Sequence, residues 1–307
     1  MMGRSEKVLF FTVVALLACV LLLLALQSNY ADYQVKTHSV SVLTRSVGDR
    51  FRKGLEQAAI DYNVDLHIVS SYEANAAAQK LMLQREINNN VDAVVMVPEN
   101  PYQLQEYVES MQTRVPVVTL EQPFPGLKGS APHVSPDNRQ IGSLVAELAQ
   151  AHALNLPVLV LMPTNARENI NERLEGLESR FEQAGVVFSL TYCAANEEGV
   201  MDALSNRGKN VIITLDEQML VPLCQRAREG DVLFGAGFAS GARQHLESGR
   251  IEALVVFSEY DMGYFSLQRA VEAAKGQAVE DMALELYVAT ADNMYDNPLN
   301  KILFPIG

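Results

Sequence analysis

From Ser39 onward, short β-branched runs alternate with helical stretches, and that rhythm admits few architectures. Parallel strands need long, usually helical crossovers, and strands covered on both faces read as continuous apolar runs. The spacing predicts strand Ser39 to Leu43, a helix over about Asp49 to Tyr62, strand Leu66 to Val69, a helix over about Ala76 to Asn88 and strand Ala93 to Val97. A helix near Tyr102 to Met111 and strand Pro116 to Leu120 close this block, and a loop rich in Pro and Gly, residues 122 to 132, follows. The rhythm then restarts with helices around Gln140 to Ala153 and Ile170 to Ala184, between strands Val158 to Met162 and Val187 to Leu190. Strands Val211 to Leu215, Val232 to Ala236 and Leu254 to Phe257 come next, with a helix near Met219 to Arg228 and a short one ending at Ser248. A helix over about Gly263 to Ala274 and strand Leu284 to Ala289 finish the pattern. The expected class is therefore α/β, with two doubly wound parallel-sheet lobes. In such sheets a ligand sits beyond the carboxyl ends of the strands.

Ahead of this domain, Val8 to Leu26 is apolar apart from Thr12. At ~1.5 Å per residue the run is ~28 Å long, enough for a bilayer core. Arg4 and Lys7 precede it and no positive charge follows until Lys36, so the expected topology is residues 1–7 in the cytoplasm, one transmembrane helix over 8–26 and the rest outside. A cleaved signal is one alternative. Another is a lipoprotein signal at Leu16, Leu17, Ala18 and Cys19, although the apolar stretch Val20 to Leu26 then stands where a polar tether is expected. Each version exports the domain. The linker, residues 27–37, reaches at most ~40 Å, which keeps the domain near the membrane.

Composition excludes several classes. A net charge of -13 repels phosphate backbones, so no nucleic-acid partner is expected. Outside the apolar run only Cys193 and Cys224 remain, which rules out a disulfide framework and leaves two buried thiols as the simpler reading over one bridge. The five histidines, His38, His67, His133, His152 and His245, show no metal-ligand spacing, and no GxSxG elbow occurs. The run Gly235 to Gly241 with Glu259 imitates a dinucleotide fingerprint, but it sits late in the chain before a short helix. No cofactor, metal or enzymatic activity is expected. Tyr260, Tyr264 and Phe265 read as core and hinge packing.

Five phrases occur in an order and spacing that resemble the ribose-type periplasmic binding proteins, which share their domain with the sugar-binding cores of the lactose-repressor family. They are VDAVVMVPEN, VPVVTLEQP, VSPDNRQIG, NERLEGL and EYDMGYFSLQRAVEA, and the likeness covers roughly Ser39 to Asn293. It implies the type I periplasmic binding fold, with three crossovers near Val134 to Pro136, Phe257 to Tyr260 and Val288 to Thr290. The N-terminal lobe would comprise residues 38–135 and 259–287, the C-terminal lobe 136–258 and 288–307. No helix-turn-helix precedes the domain, which excludes a repressor.

By that resemblance Arg173 matches the binding arginine, whose planar fork suits hydroxyls or a carboxylate. Asp137 and Asn138 match the hinge pair, Glu121 stands where the family commonly has an aspartate, and Asp216 matches an acidic position beside the cleft, although it also suits a helix N-cap. Arg45, Asp49, Arg50 and Phe51 belong to the first enclosing loop. Two positions depart from the pattern: Phe238 and Ala239 replace a Phe-Asp pair, and Phe257 replaces a polar residue. Both remove hydroxyl acceptors, so a ligand with an apolar face, or one carrying negative charge toward Arg173, is expected over an ordinary pentose. Two partners fit such a tethered binding protein: the permease of an ABC-type uptake system, or alternatively a membrane sensor kinase or chemoreceptor.

Overall fold

The computed structural model describes residues 12–22, 37–45, 47–70, 75–127, 131–205 and 207–304. They fall into two units, Met1–Thr37 and His38–Gly307. In the first unit residues 12–22 form a helix, α1, with exposed side chains. No helix among the described residues is long and apolar enough to cross a membrane. The ends of the anticipated span, residues 8–11 and 23–26, and linker residues 27–36 lie outside the described residues.

In the second unit the apolar runs form two six-stranded sheets. The first lobe runs β1 (His38–Thr44), α2 (Asp49–Tyr62), β2 (Val64–Ser70), α3 (Ala76–Asn88), β3 (Ala93–Met96), α4 (Pro101–Met111), β4 (Val117–Leu120) and β5 (His133–Pro136). The second runs α5 (Asn138–Ala153), β6 (Val158–Pro163), α6 (Glu168–Ala184), β7 (Phe188–Cys193), α7 (Glu197–Leu204), β8 (Val211–Thr214), a 3-10 turn (Glu217–Met219), α8 (Leu220–Arg226), β9 (Val232–Ala236), α9 (Arg243–Glu247) and β10 (Ile251–Phe257). The chain then returns with α10 (Glu259–Ala274) and β11 (Met282–Leu284), and crosses once more to β12 (Leu286–Ala289) and α11 (Leu299–Leu303). Sheet orders are β11-β5-β4-β3-β1-β2 and β12-β10-β9-β8-β6-β7. Every pairing is parallel except β10 with β12. The inner strands β3, β4, β6 and β8 are buried at every residue, as expected of strands with helices on both faces.

Two crossovers lead directly into helices. The carboxylate of Asp137 accepts from the N–H of Gln140 at 2.9 Å and caps α5; Ser258 caps α10 through the N–H of Asp261 at 3.0 Å. The first residues of those helices, Asn138 and Glu259, are thereby set at the interface between the lobes. The third crossover differs from expectation. The single strand anticipated over Leu284 to Ala289 is two short strands, one at the edge of each sheet, so the crossing falls at Glu285 instead of Val288 to Thr290. Residues 286 and 287 accordingly belong to the second lobe and Pro136 to the first. Alternating polarity marks an edge strand without naming the sheet that receives it. Strand β5 and helices α7 and α11 were likewise not anticipated; all three are short.

Each lobe contains one very close helix crossing. A Cβ on Gly54 of α2 would overlap the carbonyl oxygen of Tyr260 in α10, and one on Gly263 that of Phe51. Gly142 of α5 and Gly176 of α6 stand in the same relation to the carbonyls of Arg173 and Arg139. These contacts fix the heights of Phe51 and Glu259 in one lobe and of Asn138 and Arg173 in the other.

Candidate functional site

Between the carboxyl ends of the two sheets lies a cavity of about 340 Å³, within the range of small-molecule sites. Its lining combines apolar Phe51, Ile170, Phe257 and Met262 with polar or charged Asn138, Arg173, Asp216 and Glu217. Arg173 projects from α6 and is 6% exposed. Its Nε donates to Asn138 Oδ1 at 3.0 Å and its Nη1 to the Leu215 carbonyl at 2.8 Å. Burial pushes its pKa down, opposed by the nearby charges of Glu217, Asp216, Glu121 and Glu172. Asn138 in turn donates to Glu172 at 3.3 Å. Such a chain of fixed partners holds the guanidinium in one pose.

Of the ten anticipated ligand residues, the cavity wall contains Arg45, Phe51, Glu121, Arg173, Asp216 and Phe257. Arg45 is held by Glu99, and this bond raises its pKa. Glu121 follows β4 at φ 58°, a left-handed conformation rare for a residue with a side chain, and its carboxylate accepts from Arg167 Nη1 at 2.8 Å. Asp216 lines the wall and also caps the 3-10 turn, accepting from the N–H of Gln218 at 2.9 Å.

The other four are placed elsewhere. Asp49 is exposed at the start of α2, and Asp137 is an exposed cap. Arg50 turns to Glu259 and to the carbonyl of Phe238. The Phe238 ring is buried in the second lobe's core, edge-on to Phe304 at 6.1 Å, because that core offers an apolar slot beside α11. Position in a loop decided none of these four; caps, charge partners and core space did.

Several cavity residues escaped the sequence reading, among them Asn165, Arg167, Asn169, Glu217 and Glu259. Glu217 is exposed toward the cavity but flanked closely by protein. Desolvation first, and the charge of Glu259 second, hold its carboxyl above the usual range. It lies against Gly237, whose φ of 82° and missing side chain leave room for it. The fingerprint-like run Gly235 to Gly241 is thus the end of β9 and a turn at the cavity, leading into the five-residue α9. Cys193 and Cys224 are free and buried, and burial raises both thiols, Cys224 to about 11. Among the described residues no three His, Cys, Asp or Glu side chains cluster as metal ligands do.

Residues 39–278 match the family described as the periplasmic binding protein domain. No curated protein matches the chain in sequence. Solved structures with the same fold include an ABC transporter solute-binding protein from Burkholderia graminis in complex with D-arabinose, 18% identical, with 86% of this chain and 98% of that one covered at a TM-score of 0.76. An ABC transporter solute-binding protein from Bacillus halodurans with bound myo-inositol is 17% identical, covering 86% and 98% at a TM-score of 0.75. GanP, a glucose-galactose binding protein from Geobacillus stearothermophilus, is 19% identical, covering 86% and 100% at a TM-score of 0.72.

Proposed function

The chain belongs to the periplasmic binding protein domain family, whose members bind ligands without catalysis, and from that premise we propose that it captures a neutral polyhydroxylated solute of the sugar or cyclitol class outside the cytoplasm and delivers it to an ABC-type permease. The observation that carries this reading is the presence in one cavity of the apolar side chains of Phe51 and Phe257 together with the pinned Arg173 and its acceptor neighbours. A sugar ring has an apolar face and a hydroxyl rim, and the mixed lining offers partners to both.

Charge favours a neutral ligand. Arg45 is paired with Glu99 and Arg167 with Glu121, while Arg173 is already surrounded by Asp216, Glu217 and Glu172. A carboxylate approaching Arg173 would meet those acids, so the anionic ligand considered from sequence loses support. The acceptors missing at Ala239 and Phe257 are offset by Glu217 and Glu259, which removes the objection to a pentose. The neighbours solved with D-arabinose and myo-inositol add support from outside the chain. Tethering by Val8 to Leu26 remains part of the reading on the strength of the apolar run and its flanking charges.

Thermal-shift screening of the full chain in detergent against pentoses, hexoses, cyclitols, sugar acids and amino acids tests the ligand class. Saturation at 100 times the dissociation constant adds ~2.7 kcal/mol to stability. A rise in melting temperature with a neutral polyol supports the proposal; a response to amino acids or sugar acids alone overturns it. Membrane fractionation with external protease tests the placement, and protection of the domain in spheroplasts would refute it.

A further inference from the structure

A second, smaller cavity of about 110 Å³ adjoins the first. Thr44, Arg45, Val97, Glu121 and Arg167 line both chambers, and Pro98, Glu99 and Gln122 complete the smaller one. The two spaces therefore share a partition, and part of it is the ion pair between Glu121 of the first lobe and Arg167 of the second, 2.8 Å apart. We propose that the smaller chamber is a subsite for a short neutral, hydroxylated substituent on the ligand, and that the Glu121–Arg167 pair is the gate between the two. The inference rests on the reading of the larger cavity as a sugar or cyclitol site.

Three features support the subsite and two the gate. Both charged pairs at the chamber, Arg45 with Glu99 and Arg167 with Glu121, are internally balanced, so the space favours an uncharged guest. Its lining is largely hydrogen-bonding: a hydroxyl at Thr44, an amide at Gln122, two guanidinium groups and two carboxylates. Its volume is about a third of the main cavity's, which suits a glyceryl-sized extension and not a second ring. The gate is movable, because both of its side chains are partly exposed and such pairs are weak. Glu121 is also held at a positive φ, where a side chain costs energy that glycine does not incur. A longer acid thus stands at a strained turn and reaches the opposite lobe.

The test titrates the full chain in detergent micelles with D-glucose, D-galactose, D-arabinose and myo-inositol, and then with the O-glyceryl derivative of whichever binds. The reading is the ratio of the two dissociation constants in the wild type, in Glu121→Gly and in Arg167→Ala. Glycine suits the backbone at 121, so that variant keeps its fold. Both variants are expected to shift the ratio toward the glyceryl derivative by about tenfold or more. A ratio within twofold of the wild type, with both ligands weakened in parallel, shows that the pair only holds the lobes together and overturns the gate. If no free sugar or cyclitol binds the wild type, the reading of the main cavity fails, and the subsite fails with it.

Discussion

Arg50 of the first lobe donates through Nη2 to the carbonyl oxygen of Phe238 in the second, at 3.0 Å, with its guanidinium 5.5 Å from the centre of the Phe238 ring. The same guanidinium grips Glu259 at 2.9 and 3.2 Å. Arg50 follows β1, fifth in its sheet, and Phe238 follows β9, third in the other. The Glu121–Arg167 pair joins β4, third in the first sheet, to β6, fifth in the second. The two interlobe ties are therefore counterparts under the internal symmetry of the lobes. Arg50→Ala is expected to weaken ligand affinity about tenfold, since a charge-assisted hydrogen bond contributes ~1.5–3 kcal/mol. Calorimetric titration checks the affinity, and small-angle scattering checks for a larger radius of gyration at ligand saturation.

Arg173→Ala removes the donors that satisfy the Leu215 carbonyl and Asn138 Oδ1. A buried acceptor left unpaired costs ~1–3 kcal/mol. The expected result is a folded protein, slightly less stable in urea, whose melting temperature no longer responds to ligand. An unchanged response would move the binding site away from this cavity.

Gly142→Ala places a methyl group against the Arg173 carbonyl in backbone that cannot yield without separating α5 from α6. Overpacking of this kind costs ~1–3 kcal/mol, against less than ~1 kcal/mol regained from helix propensity. Chemical denaturation should show a net loss of stability. Binding should weaken too, because the crossing sets the height of Arg173.

His133 supplies a pH dependence with a defined sign. Burial is the main cause that lowers its pKa to about 4, against the opposing charge of Asp281. The unfolded chain therefore binds a proton near pH 6.5 that the folded chain refuses until about pH 4. Stability is full above the unfolded value and falls as pH drops through that window, by up to ~3 kcal/mol. Urea unfolding of His133→Gln between pH 7 and pH 4 should give a flatter profile than the wild type.

Phe238→Ala vacates the slot beside Phe304 and the buried face of α11. A loss of ~3–5 kcal/mol is expected, measurable by thermal melting. Direct ligand contact should be unaffected at saturation. Phe257→Ala, on the cavity wall, should instead reduce affinity more than stability.

Local chemistry alone determined much of this protein. The alternation of β-branched runs and helical stretches specified an α/β fold in two blocks, because covered parallel strands can be built in few other ways. Arg173 was singled out by the resemblance of NERLEGL to the family's phrase, and the structure sets it on α6 in the cavity lining. Tertiary structure decided what depends on who faces whom. That Arg50 pairs with Glu259, that the Phe238 ring fills a core, and which sheet receives Met282–Leu284 are settled by partners distant in the chain. Charges and rings act through space over a few ångströms, and sequence records only neighbours along the chain.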